Sequence, residues 1–160
     1  MVDEIRRYSM VIGAEMPQLQ EDEGFRAEAY VDTEGYLTIG YGTCIAHTGD
    51  IAFDPVLSVD KTAAAYLMRV NLTAVMQEMD NKWPWYSVQP LHVQMVLLNM
   101  AYNLGVPRLS GFKKTLGFIQ RGEYFAAGEE MLINSAGDGP SEWYTEVGPR
   151  ARRLSDRLKI

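Results

Sequence analysis

An acid-rich stretch near the N-terminus places three side chains of reactive type close together in the chain. Glu23 is followed by Asp32, and Thr38 comes soon after, within the run "EDEGFRAEAYVDTEGYLTIGYGT". Two carboxyl groups facing each other across a sugar can break a glycosidic bond, since one protonates the leaving oxygen while the other activates water or attacks directly. Acids beside glycines are also common in solvated turns, so the spacing alone leaves both interpretations open.

The elements around these residues would give the two carboxyl groups different surroundings. Residues 14–24 are predicted to form a short helix ending at a glycine, and residues 27–31 and 36–41 two strands. Glu23 would then lie in a partly desolvated cleft where helix and sheet meet. Asp32 would begin a better solvated hairpin turn that ends in glycine, so that one group can hold its proton while the other is ionised.

Alternation in the second strand assigns Thr38 to the face opposite Leu37 and Ile39. Its hydroxyl is therefore expected to point away from the apolar face of the sheet, where it can position a water molecule. This is the third part of the hypothesis, a hydroxyl that works together with Asp32.

The rest of the chain reads as mostly helical. Ser58 is a candidate N-cap for a long helix over about 59–80, and the apolar stretch Leu91 to Leu104 is predicted to be a central helix. Further helices are expected at about 108–120, at about 122–133 and from Pro149 onward. The fold class predicted is α+β, with a small N-terminal lobe holding a short β-sheet, a long connecting helix and a helical C-terminal lobe.

Composition narrows the possible functions. The chain has 160 residues and a net charge of −6, and residues 1–60 hold twelve acids against three arginines. Such a chain is a poor non-specific ligand for nucleic acid or for an anionic membrane, although the basic end "PRARRLSDRLK" leaves a nucleic-acid arm as an open alternative. With a single cysteine, Cys44, no internal disulfide is expected, and neither a membrane span nor a signal peptide is predicted.

The run "DEGFRAEAYVDTEGYLTIGYG" resembles the T-even phage lysozymes of glycoside hydrolase family 24. The matching positions are Asp22, Glu23, Gly24, Arg26, Tyr30, Asp32, Thr33, Glu34, Gly35, Thr38, Ile39, Gly40 and Gly42. The resemblance implies a lysozyme-like fold and assigns the catalytic Glu, Asp and Thr of the family to Glu23, Asp32 and Thr38.

The resemblance continues into the second half, through "NMAYNLG", Gly111-Phe112, Trp143-Tyr144 and "PRARR". It implies that Arg150 pairs with the catalytic glutamate, and that the substrate is bound by Tyr30, Tyr102, Asn103, Phe112 and Arg150. It covers about residues 13–160 as one domain, with a small lobe at about 13–57, a connecting helix at about 58–80 and a helical lobe at about 81–160. Residues 1–12 are left as an N-terminal extension.

The family hydrolyses the β-1,4 bond from N-acetylmuramic acid to N-acetylglucosamine in peptidoglycan, with inversion in the T-even type. By that resemblance Glu23 is the general acid, and Asp32 with Thr38 activates water. No cofactor or metal is required, and the expected partner is a peptidoglycan glycan strand rather than nucleic acid or a membrane. A monomer is expected, held in the host cytoplasm until a separate holin releases it, or else carried on the virion. The alternative is a catalytically inactive lysozyme fold that binds peptidoglycan or serves as a scaffold.

Several features fall outside this pattern. Thr43 stands where the family often has histidine, which predicts a difference in stability rather than in activity. Residues 43–57 resemble the family only loosely, and the Cys44-x-x-His47 motif is interpreted as a loop rather than a zinc site. Trp83, Trp85 and Tyr86 flank two prolines and are predicted either to pack or to stack on sugar. His92, on an apolar helix, is predicted to be a hydrogen-bonded core or rim residue.

Overall fold

The protein is described by a computed structural model that covers residues 2–33, 35–47 and 57–160. Within these residues it contains eight α-helices and one three-stranded antiparallel sheet, which confirms the predicted α+β class. The chain forms two compact units, Met1–Ala74 and Val75–Ile160. None of the helices among the described residues combines the length and apolar character that crossing a bilayer requires.

The first unit begins with helix α1, Val2–Glu23. The prediction of a helix over residues 14–24 was right about its end but wrong about its start. The helix continues toward the N-terminus because Tyr8, Val11 and Ile12 extend the buried stripe formed by Met16 and Leu19. The residues predicted as an N-terminal extension therefore include the first turns of α1.

The sheet consists of β1 (Arg26–Val31), β2 (Tyr36–Gly40) and β3 (Thr43–His47), in that order. Leu37 and Ile39 pack with Ala29 in a small core, which places Thr38 on the other face, as alternation predicts. The free edge of β1 is covered by the chain before the next helix, since Ala29 N–H donates to Leu57 O at 3.0 Å. The third strand was not predicted, and the interpretation of the Cys44-x-x-His47 motif as a loop was wrong, because these residues pair with β2.

Helix α2, Lys61–Lys82, follows. The predicted N-cap Ser58 is wrong, because Asp60 caps the helix by accepting a hydrogen bond from Ala63 N–H at 2.7 Å. Ser58 instead forms an isolated antiparallel bridge with Glu28 in β1. The helix accordingly starts and ends two residues later than predicted.

The second unit is helical. Helix α3, Leu91–Leu104, has the bounds that Pro90 and Gly105 predict, and most of its side chains are buried. The predicted helix at 108–120 is two helices, α4 (Val106–Leu109) and α5 (Lys113–Gln120). A further short helix, α7 (Glu142–Val147), was missed; Ser141 caps it by accepting from Tyr144 N–H. The remaining elements are a 3-10 turn at Tyr86–Val88 and the helices α6 (Tyr124–Glu130) and α8 (Pro149–Leu158).

At Gly40 the sheet comes close to α2. A Cβ added at Gly40 would lie 2.7 Å from Ala64 Cβ, and the residue has a positive φ of 66°. The close contact and the positive φ each make an L side chain at this position destabilising. We expect Gly40→Ala to lower the free energy of unfolding by about 2–4 kcal/mol, measured by urea denaturation.

Gly122→Ala is the matched control, because Gly122 has a similar φ of 77° and no atom within 4 Å of an added Cβ. Its free energy of unfolding should fall only by the cost of the positive φ, about 1–2 kcal/mol. Equal losses in the two variants would show that the contact with Ala64 costs nothing.

Candidate active site

The Asp32 carboxylate closes the hairpin between β1 and β2. Its Oδ1 accepts a hydrogen bond from the backbone N–H of Tyr36 at 2.9 Å, and the backbone N–H of Asp32 donates to Tyr36 O, also at 2.9 Å. Gly35 N–H donates to Asp32 O at 3.1 Å, so the predicted turn with Asp first and Gly last is present. The orientation of the carboxylate is therefore set by backbone groups as well as by its own side-chain torsions.

The second carboxylate oxygen of Asp32 meets the threonine that the sequence analysis paired with it. Thr38 Oγ1 lies 3.2 Å from Asp32 Oδ2 and 3.4 Å from Tyr36 O. Thr38 is buried, whereas Asp32 is half-buried. A hydroxyl has one proton, so when Thr38 donates to Asp32 its lone pairs stay available to accept a hydrogen bond from a water molecule.

Glu23 is the last residue of α1 and is half-buried. The last turn of this helix carries Glu21, Asp22 and Glu23, a charge pattern that the helix dipole disfavours at a C-terminus. Gln18 Nε2 holds two of these acids, at 3.2 Å from Glu21 Oε2 and 3.3 Å from Asp22 Oδ1. The dipole of α1 therefore does not explain why Glu23 is an acid at this position.

The Glu23 side chain lies against the turn that links β2 to β3. A Cβ built on Gly42 would stand 3.3 Å from Glu23 Oε2 and 3.8 Å from its Cδ. The backbone at Gly42 therefore forms one wall beside this carboxyl group. Tyr41, the residue before it, is buried and its ring lies 5.4 Å from that of Phe25, which closes the turn onto the end of α1.

Cys44 lies beside the pair formed by Asp32 and Thr38, a neighbour that the sequence analysis did not identify. In the register of β2 and β3, Thr38 is opposite Cys44. Burial raises the pKa of the Cys44 thiol, and the negative charge of Asp32 raises it further. Cross-strand pairing could have revealed this neighbour only if β3 had been predicted.

Tyr30, predicted to bind substrate, is also in this part of the sheet. It stands opposite Thr38 in the register of β1 and β2, and the Arg26 guanidinium carbon lies 4.2 Å from the centre of its ring. That cation–π contact holds the half-buried Tyr30 ring in place. Four of the residues singled out from the sequence motif, Tyr30, Asp32, Thr38 and Arg26, are thus linked by direct contact or strand pairing.

In the helical unit, Arg150, which is predicted to bind substrate, is held by the buried side-chain amide of Asn99. Arg150 Nε donates to Asn99 Oδ1 at 2.9 Å, and both residues are buried. Asn99 is on α3 and Arg150 on the first turn of α8, so the bond joins these two helices. The pairing of Arg150 with Glu23 that the resemblance implies stays a prediction.

Trp143 brings together two other predicted binding residues. Its indole N–H donates to Asn103 Oδ1 at 2.8 Å, and its ring meets Phe112 edge to face with centroids 5.8 Å apart. Phe112 and Trp143 line a pocket of about 520 Å³, whose rim also carries Lys114 and Glu130. Tyr102, next to Asn103 on α3, is half-buried. The pocket was not predicted, because the chain 133–141 that forms one side of it reads only as a polar loop.

In the aromatic cluster before α3, one member packs the interior, and the role of the two tryptophans stays a prediction. Tyr86 is fully buried and its hydroxyl donates to Gln94 O at 3.1 Å, so it packs the helical unit. Trp83 and Trp85 are half-buried with ring centroids 6.0 Å apart. His92 is half-buried and meets the Tyr124 ring edge to face at 5.8 Å, in agreement with its prediction as a core or rim residue. The predicted hydrogen bond is not found at its buried Nε2, which has no hydrogen-bond partner among the described residues.

The Cys44 thiol reports on the charge of Asp32. Replacing Asp32 by Asn removes the negative charge that raises the pKa of Cys44, so at a given pH below that pKa more thiolate is present. We expect Asp32→Asn to speed alkylation of Cys44 by iodoacetamide and to shift the rate–pH curve to lower pH. Asp138→Asn, in the other unit, removes one charge of the same kind and should leave the curve in place; an unchanged rate in Asp32→Asn would contradict the electrostatic coupling.

Asn99 is expected to stabilise the fold through Arg150. Asn99→Leu removes the acceptor of a buried guanidinium N–H and should lower the free energy of unfolding by about 2–4 kcal/mol, measured by urea denaturation. Asn103→Leu breaks a neutral hydrogen bond at an exposed residue of the same helix and should cost about 1 kcal/mol or less. Equal costs would show that burial and charge of the Arg150 contact contribute nothing.

Comparison with known proteins identifies the family of this chain. The family model for phage lysozyme matches residues 20–153. Two relatives from Dictyostelium discoideum, "Probable T4-type lysozyme 2" and "Probable T4-type lysozyme 1", are 24% and 26% identical over 85% of this chain and 88% of theirs. The "Pre-baseplate central spike protein Gp5" of Enterobacteria phage T4 is 29% identical over 86% of this chain, which spans only 26% of that longer protein. The chain belongs to the phage lysozyme family.

Proposed function

We propose that the chain hydrolyses the β-1,4 bond between N-acetylmuramic acid and N-acetylglucosamine in bacterial peptidoglycan, with inversion at the anomeric carbon. Membership of a lysozyme family supports a glycoside hydrolase of this type. The observation that carries the proposal is the Asp32 carboxylate, which accepts the Tyr36 N–H on one oxygen and faces the Thr38 hydroxyl with the other. A turn residue needs only the first of these bonds, so the second is the one that requires a functional explanation.

Asp32 and Thr38 together would activate the attacking water. The two hydrogen bonds stabilise the ionised carboxylate, which can then accept a proton. A water molecule placed between the two residues donates one hydrogen to Asp32 Oδ2 and the other to the lone pair of Thr38 Oγ1. Its own lone pair is then directed at the anomeric carbon, and as the new bond forms its proton passes to Asp32.

Glu23 would act as the general acid. As the bond from the anomeric carbon to the glycosidic oxygen breaks, the Glu23 carboxyl gives its proton to that oxygen, and the leaving sugar departs as an alcohol. After one turnover Glu23 is ionised and Asp32 is protonated. Exchange of one proton with solvent at each group restores the starting state, so the cycle needs no cofactor.

The remaining predicted residues would bind and orient the glycan. Tyr30 offers a ring held by Arg26, and Phe112 offers one held against Trp143, so both present fixed apolar faces. Tyr102 and Asn103 add a hydroxyl and an amide. Arg150, fixed on Asn99, would supply a positive charge.

The site of action follows from the substrate. We propose a monomer that stays in the host cytoplasm until a separate holin gives it access to the cell wall, where it causes lysis. A virion-borne role is the second candidate, because one relative is a baseplate spike protein by name. Immunodetection of the chain in purified virions distinguishes the two.

Glu23→Gln is the decisive test of the enzymatic proposal. It keeps the size of the side chain but removes the transferable proton, so the rate of turbidity loss of outer-membrane-permeabilised Gram-negative cells should fall by about 10³-fold or more. Asp32→Asn should lower the rate by about 10²-fold or more and Thr38→Ala by about tenfold. Glu21→Gln, in the same helical turn, should clear cells like the wild type.

A catalytically inactive cell-wall binder predicts a different result. In that case the wild type and Glu23→Gln would clear cells equally slowly while both still sediment with peptidoglycan. Inversion is tested separately, by NMR of the first product formed: the α-anomer is expected, whereas the β-anomer would show retention.

A further inference from the structure

We infer that Gly42 is a positioning residue for the Glu23 carboxyl group, an inference that rests on the proposed role of Glu23 as general acid. The glycine has a positive φ of 74°, and the side on which an L side chain would stand is the side where Glu23 lies. Added there, a Cβ would be 3.3 Å from Oε2 and 3.8 Å from both Cδ and Cγ. The end of the Glu23 side chain therefore lies beside the place that a Cβ at Gly42 would occupy.

The two glycines of the Gly40-Tyr41-Gly42 motif differ in what they approach. At Gly40 an added Cβ meets Ala64 on α2, including its backbone α-carbon at 3.4 Å. At Gly42 all three nearest atoms belong to one flexible side chain, that of Glu23. A methyl group at position 42 is thus most easily accommodated by a shift of the Glu23 carboxyl group.

Such a shift matters because the chemistry depends on the position of one oxygen. A general acid must reach the leaving oxygen at about 2.6–3.2 Å, a range narrow enough that a shift of a few tenths of an ångström uses up much of it. Relief of a 3.3 Å contact moves the carboxyl by a few tenths of an ångström, in a direction set by the turn between β2 and β3. The loss is therefore expected in kcat, with KM changed less than about twofold.

The test compares the two mirror-image alanines at position 42. A D-alanine adopts a positive φ without strain and places its methyl group away from Glu23, whereas an L-alanine places it against Oε2. The natural Cys44 permits the synthesis, because a synthetic segment of residues 1–43 can be ligated to a recombinant segment that begins at this cysteine. We expect Gly42→Ala to lower kcat about tenfold and the D-alanine protein to retain wild-type kcat.

Three results would overturn the inference: an unchanged kcat in Gly42→Ala, an equal loss with both alanines, or a loss confined to KM. These results differ from failure of the proposed function, in which the wild type itself would release no product. Gly122→Ala serves as the control for strain without a contact, since its φ is 77° and the space beside it is open.

A stability measurement tests the contact without relying on activity and decides the matter if Gly42→Ala is poorly folded. In a Glu23→Ala background the methyl group at position 42 has no carboxyl group to displace. The urea midpoint should therefore fall less on adding Gly42→Ala to Glu23→Ala than on adding it to the wild type. Identical shifts in the two backgrounds would show that the side chains do not interact.

Discussion

The hydrogen bonds of the Asp32 carboxylate are the constraint on which the candidate site depends. One oxygen completes the turn through Tyr36 N–H and the other faces the Thr38 hydroxyl, so one side chain joins hairpin formation to the proposed chemistry. Because the backbone anchors the first oxygen, the orientation of the second is decided when the hairpin folds. The ordering entropy is then lost during folding rather than on substrate binding, which is the physical meaning of a preorganised site.

The glycine motif after β2 divides its two glycines between stability and function. Gly40 lets the sheet approach α2 at Ala64, and Gly42 lets the following turn approach Glu23. Both have positive φ, so the backbone conformation alone would explain glycine at each position. The atoms beside them separate the two roles: neighbouring backbone resists displacement, whereas a flexible carboxylate yields.

In the helical unit, two amides one turn apart on α3 carry hydrogen bonds to the last two helices. Asn99 and Asn103 are four residues apart on α3 and therefore lie one above the other. The first accepts from Arg150 on α8 and the second from Trp143 on α7. Apolar packing alone tolerates small shifts of one helix along another, whereas directed bonds from two successive turns favour a single register of α7 and α8 on α3.

The sequence by itself determined those features whose causes lie within a few residues. Pro90 and Gly105 bound α3, and the Asp-first, Gly-last turn with alternation in β2 predicts the hairpin and the face on which Thr38 lies. The motif around Glu23 and Asp32 was sufficient to indicate the phage lysozyme family. In each case local conformational preference and the period of the apolar residues agree with the final structure.

The tertiary structure alone decided what depends on pairing between one segment of the chain and another. β3 exists because it pairs with β2, and its own residues show no clear alternation; without that strand, the approach of Cys44 to Asp32 could not be foreseen. The N-cap of α2 also depends on tertiary pairing. Ser58 pairs with Glu28 in β1, and Asp60 accepts the hydrogen bond from the first turn of the helix instead. Local propensity does not decide between such alternative pairings and caps, because the contacts that decide them form only when the chain has folded.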